Sequence, residues 1–189
     1  MAKRSKTLNG SGLELVEIEP LTRNQLVAFE SERNLVLHGC AGTGKTFISC
    51  YLAFDDMTKN MYEKLVIIRS AVPTRDIGFL PGTEKEKSSV YEEPYYDISI
   101  DLFGRGDAYQ ILKTKRLVHF MTTSYIRGIT LRDAVVLIDE CQNMTFHELD
   151  SIITRVGENC KVIFCGDFSQ SDLKQNGMKE FFEILASMN

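Results

Sequence analysis

One short segment of the chain combines glycines with a lysine and a threonine at a fixed spacing. It reads Gly39-Cys40-Ala41-Gly42-Thr43-Gly44-Lys45-Thr46, which matches the pattern G-x-x-x-x-G-K-[ST] in full. The glycines let backbone N–H groups turn inward around phosphates, and a helix that follows directs its positive N-terminal end to the same place. The segment therefore predicts an ATP site, with Lys45 at the β- and γ-phosphates and the Thr46 hydroxyl as a Mg²⁺ ligand.

A pair of acidic residues follows a second apolar run. The run Val135-Val136-Leu137-Ile138 leads directly into Asp139 and Glu140. The carboxyl end of a buried strand is where the metal partner of a phosphate loop is expected. Asp139 is predicted to hold Mg²⁺, directly or through water, and Glu140 to act as the general base for the attacking water. The sequence thus predicts hydrolysis as well as binding.

The elements that must position these residues follow a regular pattern. Apolar runs rich in Val and Ile recur, nearly continuous instead of alternating, which is typical of parallel strands covered on both faces. The predicted strands cover residues 34–38, 64–69, 117–121, 134–139 and 161–165. Helical patterns lie between and after them, at about residues 45–58, 105–114, 146–156 and 177–187. The alternation predicts a layered α/β fold.

Two segments depart from this alternation. Residues 70–104 contain most of the chain's prolines and a group of tyrosines, and we predict a long, partly helical excursion whose aromatic residues belong mostly to the core. Residues 1–12 are predicted to be a flexible basic tail because several lysines and arginines precede a Gly-Ser-Gly run. The rest, residues 13–189, is predicted to be a single domain.

The composition narrows the class of protein. A net charge of −4 argues against a basic coat that binds nucleic acid unaided, although it leaves a local basic track open. No apolar run approaches the roughly 18 residues of a membrane span, and the first residues do not resemble a signal peptide. The five cysteines form no CxxC pair, which indicates reduced thiols. We therefore expect a cytoplasmic protein with no membrane contact.

Two segments that follow predicted strands resemble motifs II and III of superfamily 1 helicases. They are Asp139-Glu140-Cys141-Gln142-Asn143 and Gly166-Asp167-Phe168-Ser169-Gln170. In that group a motif III glutamine contacts the γ-phosphate and reports its loss, which implies this role for Gln170. A glutamine upstream of the phosphate loop contacts adenine in many members, which implies that role for Gln25. The alternative for Gln25 is local, because Thr22-x-x-Gln25 also has the pattern of a helix capping box.

Further segments narrow the resemblance to the PhoH family of phosphate-starvation ATPases, particularly the compact forms carried by phages. The segments are Arg69-Ser70-Ala71-Val72, Gly78-Phe79-Leu80-Pro81-Gly82, Tyr125-Ile126-Arg127-Gly128-Ile129-Thr130-Leu131 and Thr154-Arg155-Val156-Gly157. With the loop and the acidic pair they span about residues 20–185. The resemblance implies a RecA-like P-loop NTPase fold, a three-layer sandwich with a mostly parallel sheet. It also implies Mg²⁺-dependent ATP hydrolysis and a role linked to RNA.

The resemblance is incomplete in a way that affects catalysis. Superfamily 1 helicases have a second RecA-like domain that supplies arginines to the γ-phosphate and moves along the strand. A chain of 189 residues has no room for that domain, and it ends one helix after the last predicted strand. We therefore expect no autonomous helicase activity, and strong hydrolysis only with an arginine from a neighbouring copy. Arg127 and Arg155 are the candidates for this role in a homo-oligomer such as a ring.

The resemblance leaves the partner of the ATPase open. Several residues at or after the ends of predicted strands are candidates for holding phosphates and stacking a base of RNA or single-stranded nucleic acid. They are Arg69, Arg75, Tyr125 and Arg127. One alternative is an ATPase or nucleotide sensor that acts on protein partners under phosphate or energy stress. Another is a nucleotide-binding module whose hydrolysis is vestigial. Glu140 and Gln170 disfavour this last alternative.

Overall fold

The chain folds around one parallel sheet and a separate hairpin. The structure is a computed structural model that describes residues 5–8, 10–70, 84–167 and 178–187. The strands are β1 (Ser5–Leu8), β2 (Leu13–Val16), β3 (Leu35–His38), β4 (Lys64–Arg69), β5 (Val118–Thr122), β6 (Ala134–Asp139) and β7 (Cys160–Gly166). The helices are α1 (Arg23–Phe29), α2 (Lys45–Thr58), α3 (Glu84–Phe103), α4 (Ala108–Thr114), α5 (Phe146–Ile153) and α6 (Met178–Ser187).

Among the described residues, the sheet has five parallel strands in the order β3-β7-β6-β4-β5. Each of them lies within about a residue of a run predicted from Val and Ile content. The register brings the strand ends together, because Arg69 pairs with both Asp139 and Thr122, and His38 pairs with Gly166. The loops after all five strands therefore leave the sheet at one edge, which we call the carboxyl edge.

Helices cover both faces of this sheet. Successive residues of a strand point to opposite faces, and β6 is fully buried on each of them. Val135 and Leu137 join a core with residues of α2, α3, α4 and the hairpin. Val136 and Ile138 join a second core with residues of α5 and α6. Two apolar cores separated by a parallel sheet confirm the predicted three-layer, RecA-like α/β fold.

The strand before the glycine loop departs from the prediction of burial on both faces. Within the part of the chain that the structure describes, β3 pairs with β7 and forms one border of the sheet. Its residues are partly or largely exposed, and Val36 keeps 48% of its surface accessible. An apolar run therefore predicts a strand correctly here, although the position at the border of the sheet leaves that strand partly uncovered.

Residues 5–8, which fall within the flexible tail predicted for positions 1–12, form a strand. Strand β1 pairs antiparallel with β2, from Ser5 opposite Val16 to Leu8 opposite Leu13. Leu8 and Leu13 are buried in the same apolar core as residues of α2. Lys6, assigned to a basic tail, instead forms an ion pair with Asp55 of α2 at 2.5 Å. Burial of alternate leucines explains why these residues are ordered against the domain.

In the part of the predicted excursion that the structure describes, one long helix lies between β4 and β5. Helix α3 continues through Pro94 and buries Tyr95, Leu102 and Phe103, which confirms that its aromatic residues belong to the core. Residues 71–83 lie outside the described residues. The predicted helix at 146–156 ends earlier, at Ile153 with Thr154 as its cap, so Arg155 lies beyond it.

Candidate functional site

The glycine loop joins β3 to α2 at the carboxyl edge. Gly42 and Gly44 both have φ of +77°, a left-handed conformation in which any side chain would be strained. Gly44 is the N-cap of α2, and Lys45 is the first helical residue. The backbone path that brings the loop back onto the helix therefore requires glycine at positions 42 and 44, of which Gly44 belongs to the fixed pattern.

Lys45 lies over its own loop. Its Nζ donates hydrogen bonds to the carbonyl oxygens of Gly39 at 2.7 Å and Cys40 at 2.8 Å. The Thr43 hydroxyl also donates to the Cys40 carbonyl, at 2.8 Å. These bonds hold the loop as a compact turn around the ammonium group. A phosphate at this position would replace a carbonyl oxygen as the acceptor for the Lys45 ammonium. Its anionic oxygen is the stronger acceptor of the two.

The loop contacts the acidic strand end through one hydrogen bond. The Thr46 hydroxyl donates to Oδ1 of Asp139 at 3.0 Å. The two residues come together although β7 lies between β3, which precedes the loop, and β6, which ends at Asp139. Asp139 is buried, with 3% of its surface exposed. A hydroxyl and a carboxylate are hard oxygen ligands of the kind that Mg²⁺ accepts. Thr46 and Asp139, predicted from separate segments as Mg²⁺ ligands, thus converge in a donor set that fits this ion.

A second donor to Asp139 was not predicted from the sequence. The Tyr95 phenol of α3 donates to Oδ2 of Asp139 at 2.7 Å, and both side chains are buried. Burial and the negative charge of Asp139 raise the pKa of Tyr95 well above its ordinary value, so the phenol stays protonated and donates. The sequence offers one signal, which is helical spacing. The residues that share this spacing and are buried in the structure are Glu92, Tyr95, Ser99 and Leu102.

Glu140 stands next to Asp139 in a strained conformation. Its φ of 52° and ψ of 39° are left-handed, which is uncommon for a residue with a side chain. The amide of Gln142 donates to its carboxylate at 2.6 Å and accepts from the Asp167 N–H at 3.1 Å. Gln142 packs so closely on Gly166 that a Cβ there would lie 2.7 Å from Gln142 Oε1. Gln142 therefore links Glu140 to the end of β7.

Glu148 organises the other half of the carboxyl edge. It forms a capping box with Thr145 at the start of α5. Its carboxylate also accepts from the Thr123 hydroxyl at 2.6 Å and from Ser70 at 3.4 Å. Partial burial alone would raise the pKa of Glu148, but these hydrogen bonds outweigh it and lower the pKa. Glu148 thus ties the ends of β4 and β5 to α5.

The two candidate arginines lie at opposite edges of the sheet. Arg127 follows β5 at the carboxyl edge, is exposed, and lies 3.2 Å from the ring of His147. Arg155 lies past α5 beside the start of β6, where its carbonyl accepts from the Leu131 N–H. The length of β6, roughly 20 Å at 3.3 Å per residue, separates Arg155 from the loop of its own chain. Among the described residues, its buried Nε has no hydrogen-bond partner.

The two candidate glutamines have different outcomes. Gln25 lies on α1, where its N–H bonds the Thr22 hydroxyl at 3.2 Å and its side-chain oxygen accepts from Leu21 N–H at 2.6 Å. These are the local bonds of a helix start, close to the capping box that was the alternative to adenine contact. Gln170 lies outside the described residues, so its role stays a prediction.

Comparison with known proteins identifies the family. The family described as PhoH-like protein matches residues 17–189. The chain belongs to the PhoH family. It is 33% identical to the PhoH-like protein of Bacillus subtilis over 190 aligned residues, which cover 100% of this chain and 59% of that protein. It is 35% identical to Protein PhoH of Escherichia coli K12, covering 81% of this chain and 45% of that protein.

This PhoH-family chain spans only part of its relatives. Protein PhoH2 of Bacillus subtilis is 34% identical, and the alignment covers 85% of this chain but 38% of that protein. The chain thus corresponds to about half the length of the curated relatives it matches. In the part of the chain that the structure describes, no helix has the length and apolar character needed to cross a bilayer.

The cysteines of this PhoH-family chain differ sharply in exposure. Cys40 in the loop is exposed, whereas Cys50, Cys141 and Cys165 are buried. Burial, together with the charge of Asp139, raises the pKa of Cys141 to about 12. Because the thiolate is the reactive form, Cys141 is protected both by packing and by protonation.

We expect iodoacetamide at pH 8 to modify Cys40 at least about tenfold faster than Cys141, and ATP with Mg²⁺ to slow modification of Cys40. Peptide mass spectrometry over time measures each site separately. Cys40→Ser, which keeps a small polar residue in the loop, serves as the control and lacks the fast modification. A Cys40 rate that saturating ATP leaves unchanged would contradict the expected position of the nucleotide.

Proposed function

We propose that this chain is a PhoH-type ATPase that binds ATP with Mg²⁺ and hydrolyses it. The contact between the Thr46 hydroxyl and Asp139 Oδ1 at 3.0 Å carries this proposal. It joins a complete phosphate-binding loop to the first carboxylate of an acidic pair, which is the arrangement that P-loop NTPases use for a metal–nucleotide complex. Membership in the PhoH family supports the same activity at the family level.

Binding is assigned to the loop and to the two oxygen ligands. Backbone N–H groups of residues 39–46 and the start of α2 hold the phosphates, and Lys45 moves from its own carbonyls to the β- and γ-phosphates. Thr46 and Asp139 hold Mg²⁺. When bound, this ion would neutralise negative charge on the phosphates. Adenine contact by Gln25 remains part of the proposal, and it requires the side chain to leave the Leu21 N–H.

Hydrolysis is assigned to Glu140. Its carboxylate accepts the proton of the attacking water, and the amide of Gln142 at 2.6 Å restricts where that carboxylate points. A left-handed backbone at Glu140 is consistent with a residue held in place for a function. Gln170 is proposed to contact the γ-phosphate and to report its loss, as the family resemblance implies.

Full activity is proposed to require a second copy of the chain. Arginines that act in trans stabilise charge on the transferred phosphoryl group. The exposure of Arg127 and the separation of Arg155 from its own loop both favour action on a neighbour's site. A homo-oligomer, such as a ring, is therefore proposed. Action in the cytoplasm, of a host cell if the chain is carried by a phage, also belongs to the proposal.

RNA or single-stranded nucleic acid is the partner that the carboxyl edge favours. Tyr125 is 49% exposed directly after β5, and the exposed Arg127 follows it. An exposed aromatic ring beside an arginine suits base stacking and a phosphate contact. Arg69 is engaged over the Tyr91 ring at 5.7 Å, and Arg75 lies outside the described residues. Action on protein partners under phosphate or energy stress is the alternative.

Substitution of the proposed base tests hydrolysis directly. Glu140→Gln should lower kcat by about 10²- to 10⁴-fold, because the amide cannot accept the proton, while ATP affinity changes little. Phosphate release measures the rate, and calorimetry measures the affinity.

Glu158→Gln is the matched control, since Glu158 is exposed in the turn before β7, away from the carboxyl edge. It should keep the rate of the original chain. Equal rates for Glu140→Gln and the original chain would rule out Glu140 as the base. No release above background by the original chain would favour a binding module with vestigial hydrolysis.

Single-stranded RNA should raise the ATPase rate several-fold if the carboxyl edge binds it. Tyr125→Ala should remove most of this stimulation, and Tyr125→Phe should retain it because the ring still stacks on a base. The ratio of rates with and without RNA, measured at low salt, decides the outcome. Neither stimulation nor binding at low salt would favour the alternative of protein partners.

A further inference from the structure

We propose that Tyr95 is a positioning residue that orients Asp139 and thereby sets the affinity of the site for Mg²⁺ with nucleotide. The inference rests on the proposed ATP and Mg²⁺ site. Tyr95 lies in α3, outside the glycine loop and the acidic pair that form that site. The distinguishing feature is that the two oxygens of one buried carboxylate are held by donors from two different parts of the chain.

The hydrogen bonds of Asp139 fix its rotation. Oδ1 accepts from the Thr46 hydroxyl at 3.0 Å, and Oδ2 accepts from the Tyr95 phenol at 2.7 Å. Asp139 is 3% exposed and Tyr95 is 1% exposed, so solvent cannot readily replace either donor. With Oδ2 held by the phenol, Oδ1 faces the glycine loop. Loss of the phenol would leave a buried anionic oxygen without its partner, which carries a large desolvation cost.

Helix α3 is fastened where this contact requires it. One turn before Tyr95, the Tyr91 ring lies 5.7 Å from the guanidinium carbon of Arg69. Arg69 is the register partner of Asp139 in the neighbouring strand β4. The Tyr95 ring also lies 5.7 Å from the Phe120 ring of β5. Residues of β4, β5 and β6 thus hold one face of α3, and the phenol reaches Asp139 from a fixed direction.

The two donors differ in what they do once the site is loaded. Thr46 is itself a proposed Mg²⁺ ligand, so its hydroxyl serves either the ion or the carboxylate. Tyr95 has no such second role, and its hydrogen bond to Oδ2 is compatible with both states. Groups that orient a metal-binding carboxylate in this way commonly change metal affinity by about 10- to 100-fold when they are removed.

Tyr95→Phe tests this role because it removes the hydroxyl oxygen and keeps the ring against Phe120. Binding of a fluorescent ATP analogue to the full chain is followed during a titration with MgCl₂, and again in EDTA. The Mg²⁺ concentration at half-saturation should rise about tenfold or more. Affinity in EDTA should match the original chain, whereas a general loss of structure would weaken both.

Tyr109→Phe provides a matched control within the same core. The Tyr109 phenol is also buried and also donates to a carboxylate, but that carboxylate is Glu92, at 2.8 Å, and not Asp139. This variant should retain the Mg²⁺ dependence of the original chain. An equal rise in both variants would show a generic effect of losing a buried hydroxyl and would overturn the inference.

The outcomes separate this inference from the proposed function. A chain that binds the analogue without any Mg²⁺ dependence, or not at all, contradicts the proposed site. A Mg²⁺-dependent chain in which Tyr95→Phe changes nothing overturns only the role of Tyr95. If Tyr95→Phe is too unstable to titrate, calorimetric unfolding temperatures of Tyr95→Phe, Asp139→Asn and the double variant replace the titration. Non-additive shifts are expected, and additive shifts would overturn the inference.

Discussion

The hydrogen bond between Thr46 and Asp139 is the contact on which the site depends, and it is possible only in one arrangement of the sheet. Thr46 lies in α2, which follows β3, and Asp139 is the last residue of β6. Strand β7 separates β3 from β6, so the register of all three strands determines whether the two residues meet. A shift of β6 by one residue would turn Asp139 to the other face of the sheet. Burial of β6 on both faces resists such a shift, because each of its apolar side chains already packs in one of two cores.

At the carboxyl edge, three buried or partly buried polar side chains form hydrogen bonds that tie elements together. Asp139 joins α2 to α3, Gln142 joins Glu140 to the end of β7, and Glu148 joins β4 and β5 to α5. Buried polar groups without partners are costly, so these bonds are conditions for folding as well as for chemistry. The same network that stabilises the edge therefore orients the side chains proposed to act on ATP.

Much of the fold follows from local sequence, and the exceptions have physical reasons. Runs of Val and Ile locate all five sheet strands, and the glycine spacing locates the start of α2 at Lys45. The hairpin is missed because the basic residues before it suggest a solvated tail, although Leu13 and Leu15 alternate after a Gly-Ser-Gly turn. The contact of Tyr95 with Asp139 joins residues 44 positions apart. No local pattern specifies such a contact, since it arises from how α3 packs.

Direct binding of a nucleotide tests the central claim, that residues 39–46 and Asp139 form one site for ATP and Mg²⁺. The measurement is titration calorimetry of a non-hydrolysable ATP analogue into the full chain, once with Mg²⁺ and once with EDTA. The account predicts one site per chain and clearly tighter binding with Mg²⁺, and loss of that difference in Asp139→Ala. Absence of binding, or an affinity that neither Mg²⁺ nor Asp139→Ala changes, would contradict it.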